Sequence, residues 1–168
     1  MEKTAIIHFT CKLYKTESEI FTIKGQSIQP KDCVKILGVV MDAKLKYKEH
    51  IARATSKGLE AALELKRLRG LSPLMAQQLF TSTVAPVVDY ASNVWMHTFK
   101  DKLVGPVNRV QRLGAQAIVG MFLTVATSIA EAEAHIASAQ DRFWRRAVKL
   151  WTDIHTLPNT NLLCRNMS

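Results

Sequence analysis

The stretch Lys35-Ile-Leu-Gly-Val-Val-Met-Asp-Ala-Lys-Leu-Lys-Tyr-Lys-Glu-His-Ile51 decides how the chain is read, because two backbone periods meet inside it. Its first half is short, apolar and β-branched, with Gly38 inside it. That is the composition of a buried strand with one point of close backbone approach. Its second half turns basic through Lys44, Lys46 and Lys48 and leads straight into a helical pattern. The chain is therefore expected to be β before this junction and α after it.

Before the junction, Thr4–Phe9, Ile20–Lys24 (ending at the turn residue Gly25) and Val34–Met41 read as short strands, with Lys12–Glu19 as a polar connection. Three such strands form a sheet edge that cannot bury both faces by itself, which predicts a piece of a larger domain. After the junction, Ile51, Thr55, Gly58, Ala62 and Leu65 form one stripe at helical spacing, flanked by Leu59 and Leu63. The helix is expected to stop at Gly70, with Lys66, Arg67 and Arg69 beside its negative end. Ser72-Pro73 restarts it as N-cap and first helical residue, Leu74, Leu79 and Phe80 follow, and Pro86 kinks or breaks it before Val87–Trp95 resumes.

A third helical block spans Lys102–Phe122, with Val107, Val110, Leu113, Ala117 and Ile118 inward and Arg109 and Arg112 outward. A fourth opens on the capping box Ser128-Ile-Ala-Glu131 and runs through Phe143–Trp151 towards Pro158. The fold expected is α+β, mostly helical. A β edge at 1–45 precedes a helical bundle at 46–125 and a connecting helix with its tail at 126–168.

Composition narrows the function classes. The 168 residues are 48% hydrophobic, and their formal net charge is +9. No run approaches the roughly 18 unbroken apolar residues of a membrane helix, and Ala5–Phe9 is too short for a signal peptide core, so the expectation is an intracellular protein, cytoplasmic or nuclear. Cys11, Cys33 and Cys164 form no Cys-x-x-Cys pair and read as small apolar residues, without a zinc site or a disulfide framework. A charge of +9 points to a polyanionic partner, above all nucleic acid.

Asp32, Asp42 and Asp89 stand singly and read as turn and cap residues rather than as a metal site. The five histidines show no ligand spacing, and His50 belongs to the start of the first helix. Trp95, Phe143, Trp144 and Trp151 could stack on bases but, at helical spacing, are expected to be core anchors.

Several motifs, in order, carry a resemblance. They are Glu2-Lys-Thr-Ala-Ile-Ile-His-Phe9, Ile36-Leu-Gly-Val-Val40, Val84-Ala-Pro86 with Asp89-Tyr-Ala-Ser-Asn-Val-Trp95, and Asn108-Arg-Val-Gln-Arg-Leu-Gly-Ala-Gln-Ala-Ile-Val-Gly120. Glu131–Glu133 and the arginine-rich helix after them complete the set. Together they resemble the palm edge, thumb and connection of non-LTR (LINE-type) retrotransposon reverse transcriptases, with the fungal Tad-like group nearest.

The resemblance implies a fragment of an RNA-directed DNA polymerase that holds an RNA/DNA template–primer without reading its sequence. Gly38 would belong to the primer grip, and Lys3 would be a general acid for the pyrophosphate leaving group. Lys44, Lys46, Lys48, Arg67, Arg69, Arg109, Arg112, Arg145 and Arg146 would meet phosphates. Magnesium would be held by palm aspartates in the upstream part, including a Tyr/Phe-x-Asp-Asp turn that this sequence lacks. The chain by itself would have no cofactor and no polymerase activity. Its partners would be the missing palm and fingers and a ribonuclease H domain.

Two rival readings need no polymerase. One is an independent basic helical module that binds nucleic acid; the other is a helical protein-interaction module whose charge serves solubility. A membrane-surface role for the amphipathic stretch Arg142–Trp151 is less favoured, because its aromatics are wanted in the core.

Overall fold

A computed structural model describes residues 5–9, 21–23, 25–98, 101–122, 124–158 and 161, with backbone alone at 26 and 101–104. The chain divides into two compact units, Met1–Ile51 and Ala52–Ser168. The architecture is α+β and mostly helical, with two antiparallel two-stranded sheets.

In the first unit, β1 (Phe21–Ile23) pairs with β2 (Gln26–Ile28), and β3 (Cys33–Ile36) with β4 (Val39–Asp42). The expected strand over Val34–Met41 is therefore a hairpin, closed by Ile36 opposite Val39. Its two-residue loop, Leu37-Gly38, has φ of +47° and +87°. Positive φ at both central positions is the twist a tight hairpin demands, and glycine meets it without strain. Gly38 thus serves the turn at an exposed tip, not a close approach inside a buried strand.

The expected three-stranded edge is likewise replaced by two separate hairpins. Residues 5–9 are not a strand, although the Ile6 carbonyl accepts a hydrogen bond from the Lys31 amide at 2.8 Å. After β4, the Asp42 carboxylate accepts from the Lys44 and Lys46 amides at 3.0 and 2.9 Å, an Asx-type turn that carries the chain into the first helix.

The helix α1 (Lys48–Arg67) buries Ile51, Thr55, Gly58, Ala62 and Leu65, the stripe its spacing predicts. Gly58 lets it approach closely, since a Cβ there would overlap Val88 and touch Val110. Gly70 follows with φ +76°, and Ser72 caps α2 (Pro73–Leu79) by accepting from the Met75 amide at 3.3 Å.

Pro86 does not end this helix. A π-helical turn, Phe80–Val84, precedes α3 (Ala85–Asp89), so the chain widens just before the residue that has no N–H to give. Hydroxyls of Thr81, Ser82 and Thr83 donate to the carbonyls of Gln77, Gln78 and Leu79 at 2.8, 2.8 and 2.6 Å, satisfying acceptors along the disturbed ladder.

The break comes later, at Tyr90 and at Ala91 with φ +52°, before α4 (Ser92–Trp95) and a 3₁₀ turn at Met96–Thr98. The helix α5 (Asp101–Val119) buries Val107, Val110 and Ile118, with Leu113 and Ala117 half-buried, and ends at Gly120.

The expected fourth helix is two. One is α6 (Thr127–Glu133), the other α7 (Ala139–His155). Between them His135 (φ +50°) donates from its amide to Ala132, and Ile136 to Glu131, at 3.1 and 3.0 Å. That pattern is a Schellman stop with histidine in the position glycine usually takes. The capping box at Ser128 does not form, because α6 starts at Thr127 behind Ala126 and the Glu131 carboxylate turns to Gln111 instead. Ser138 supplies the working cap. It accepts from the Asp141 amide at 3.1 Å and donates to the Asp141 carboxylate at 2.7 Å.

Trp95 and Phe143, both essentially sealed from solvent, meet edge to face with ring centroids 5.0 Å apart where α4 packs on α7.

Candidate nucleic-acid interface

The helix α7 carries both a structural and a free set of cations. Asp89, at the end of α3, has no exposed side-chain surface, and its carboxylate takes a two-pronged contact from Arg142, with Nε at 2.8 Å and Nη2 at 2.9 Å. Arg142 Nη1 also donates to Gln111 Oε1 and the Ala137 carbonyl, while Gln111 Nε2 donates to Glu131 and Ala137. A buried carboxylate is tolerable only when neutralised and bonded in this way. Asp89 is therefore not the turn or cap residue its isolation in the sequence suggests. It is the anchor tying α3, α5, α6 and α7 together.

Arg146 reaches the same carboxylate at 3.4 Å and the Asp89 carbonyl at 3.4 Å. Its charge is thus partly engaged by Asp89 although its side chain remains 48% exposed, which makes it a less free phosphate contact than Arg145. Arg67 likewise pairs with Glu64, but both are exposed and such a pair is weak.

The side of α7 next to its inner face is unlike a core face. Trp144 is 63% exposed and Trp151 58%, so the expectation that they anchor the core fails for both and holds for Trp95 and Phe143. The reason is angular. Phe143, Ala147 and Ile154 lie on the inner face, and Trp144, Val148, Trp151 and His155 recur four, three and four residues apart on a stripe beside it. His155 stacks on Trp151 with centroids 3.9 Å apart. Arg145 and Lys149, one turn apart, are exposed further round the helix, Lys149 within 4.0 Å of Asp153.

A second basic feature is an open groove of 620 Å³ whose walls come from α1, α5 and α6. Leu59, Leu63 and Leu113 give it apolar sides, and Arg109 and Arg112 lie along it. Arg112 is steadied by Thr127 Oγ1, at 3.1 Å from Nη2 and 3.3 Å from Nε. These two arginines, expected to point outward, are exposed and brought together in one place.

Lys44, Lys46 and Lys48 are exposed at the turn into α1, and Arg69 is exposed after its end. Lys3 lies outside the described residues, as do Cys11 and Cys164.

In the first unit, His50 is buried and its Nδ1 accepts from the Val40 amide at 3.4 Å, so it joins the hairpin to the helix start. The negative charge of Glu49, then burial and a hydrogen bond to Glu49, push the Cys33 thiol up. It stays a thiol, which suits an inert packing residue rather than a nucleophile.

Among the described residues no three histidine, cysteine, aspartate or glutamate side chains converge as a metal site. No described helix is long and apolar enough to cross a membrane. No family model, curated protein or solved structure matches the chain.

Proposed function

We propose that the chain is the primer-grip and thumb portion of a LINE-type reverse transcriptase, holding an RNA/DNA template–primer through its backbone and not polymerising by itself. The observation that carries the reading is the solvent side of α7, where Trp144 and Trp151 stand exposed and Arg145 and Lys149 are exposed on the same helix. Aromatic planes stack on any base and cations meet any phosphate, so such a surface holds a strand without reading it. Arg109, Arg112, Lys44, Lys46 and Lys48 add exposed charge for further phosphates, and the ordered motifs supply the family assignment. In this reading the Gly38 turn offers its bare tip, not a strand interior, to the primer. Phosphoryl transfer needs carboxylates around paired metal ions, and the sequence holds no Asp-Asp pair, so those groups belong to the palm.

The test is fluorescence anisotropy of a labelled RNA/DNA hybrid titrated with the purified chain across a salt series. Affinity should fall steeply with log salt, by a slope of about 0.9 per phosphate neutralised on duplex. Arg145→Gln should lower that slope by about one such increment, and Arg146→Gln by less, since Arg146 is partly paired with Asp89. Trp144→Ala with Trp151→Ala should weaken binding to a single-stranded probe about tenfold. A folded chain that binds no hybrid, or binds it independently of salt, refutes the reading. Salt-independent capture of a protein partner would then favour the interaction-module rival.

A further inference from the structure

Gln116 is the buried side chain along the α1–α5–α6 groove, and its hydrogen-bonding groups find no partner among the described residues. The residue is 5% exposed, and neither its Nε2 nor its Oε1 has a partner among the described residues. Buried amides are almost always bonded, and nearby Gln111 shows the usual outcome, with its amide bonded to Glu131, Ala137 and Arg142. A donor and an acceptor left side by side at an apolar groove, with two guanidinium groups along it, match a ligand that has a flat apolar body, a polar edge and an attached anion.

We infer that this groove takes one unpaired nucleotide of a bound strand, its base against Leu59, Leu63 and Leu113 and its phosphate on Arg109 and Arg112. The inference rests on the nucleic-acid reading above and adds a subsite to it. The volume, 620 Å³, lies within the range of small-molecule pockets, on the order of 300–1,000 Å³. Every nucleobase presents an adjacent donor and acceptor on its pairing edge, and a glutamine amide matches either order by a half-turn. The contact therefore selects an unpaired base over a paired one without selecting among bases. Arg109 has no hydrogen bond or ion pair among the described residues, and Arg112 spends only its Nε and Nη2 on Thr127. Both retain donors for a phosphate.

The experiment compares three labelled RNA/DNA hybrids, one blunt, one with a four-nucleotide single-stranded overhang, and one whose overhang is abasic. The wild-type chain should bind the overhang hybrid about tenfold more tightly than the blunt one. The abasic overhang, which keeps its phosphates, should recover little of that gain. Gln116→Leu should erase the preference and leave blunt affinity and salt slope unchanged. It should also melt no lower than wild type, since it removes an unpaired buried amide. Equal affinity for all three hybrids, or a preference that survives in Gln116→Leu, overturns the subsite while leaving the grip in place. Binding to none of them overturns the grip and the subsite together. The abasic arm needs no variant, so a folding defect in Gln116→Leu cannot obscure the result.

Discussion

Replacing Asp89 by asparagine should cost the helical unit about 3 kcal/mol, and the structure sets that figure. The native carboxylate is fully enclosed and takes two charge-assisted bonds from Arg142, at 2.8 and 2.9 Å, with Arg146 a weaker third at 3.4 Å. Asparagine keeps the shape but turns one acceptor into a donor that faces a guanidinium donor, and it removes the negative charge that pairs with Arg142. Breaking one side of a buried pair costs about 3–5 kcal/mol.

Two features pull the value to the low end. Arg142 keeps Gln111 Oε1 at 3.0 Å and the Ala137 carbonyl at 2.8 Å, and its side chain is 16% exposed, so water reaches it. At roughly 4 °C per kcal/mol for a domain of this size, the melting temperature should fall by about 12 °C. Urea denaturation followed by tryptophan fluorescence would show a lower midpoint at unchanged slope. Because the pair is buried, raising salt from about 0.1 M to about 1 M should not remove the difference between variant and wild type. Asp89→Leu combined with Arg142→Met should recover most of the loss, since the one charge that then loses its partner, Arg146, is 48% exposed and can be hydrated. A penalty for Asp89→Asn below about 1 kcal/mol, the level of an exposed pair, would refute the claim that this ion pair holds α3 to α7.

Three further outcomes follow from particular geometries. Gly114→Ala should destabilise by about 1–3 kcal/mol in chemical denaturation, because its Cβ would overlap the sealed Phe80 ring. Gly38→Ala should loosen the β3–β4 hairpin by about 1 kcal/mol, since alanine resists a φ of +87°, and faster amide exchange in Val39–Asp42 would register it. Tyr47 has its hydroxyl pushed above the ordinary value of 10, by burial first and by the Asp42 charge second. The folded state then holds a proton that the unfolded chain gives up. Stability should be intact below about pH 10 and decline as pH rises beyond it, and Tyr47→Phe should flatten that decline in a pH series of melting temperatures.

What the sequence made legible was whatever a local period or a single residue determines. The buried stripe of α1 follows from 3.6-residue spacing, and the stop just before Gly70, at Arg67, and the restart at Ser72-Pro73 follow from backbone chemistry within one turn. Failures came where two local signals competed. Ile36-Leu-Gly-Val39 reads as a continuous apolar run, yet Leu-Gly at its centre can close a two-residue loop, and the loop wins because it gives both arms a partner. The chain also contains two strings of Ser-x-x-acid, at Ser128 and at Ser138. Only the second caps a helix, because Glu131 is taken by the distant Gln111. Nothing within four residues of Ser128 announces that competition.

The same limit governs the candidate site. Charge was visible in the sequence, but its division into structural and free cations was not. Arg142, Arg145, Arg146 and Lys149 look equivalent in the sequence and sit within eight positions on one helix. Their angular positions send Arg142 and Arg146 to Asp89 and leave Arg145 exposed to solvent, away from that carboxylate. A carboxylate some fifty residues upstream makes that division, since the Arg142–Asp89 bonds span 53 positions. The exposure of the two tryptophans has the same origin. With Phe143 and Trp95 already filling the contact between α4 and α7, the neighbouring stripe has no core left to enter. A basic helix therefore becomes a candidate strand-binding surface through what its inner face has used up. Composition alone ranks Arg146 with Arg145, while the packing sets them apart.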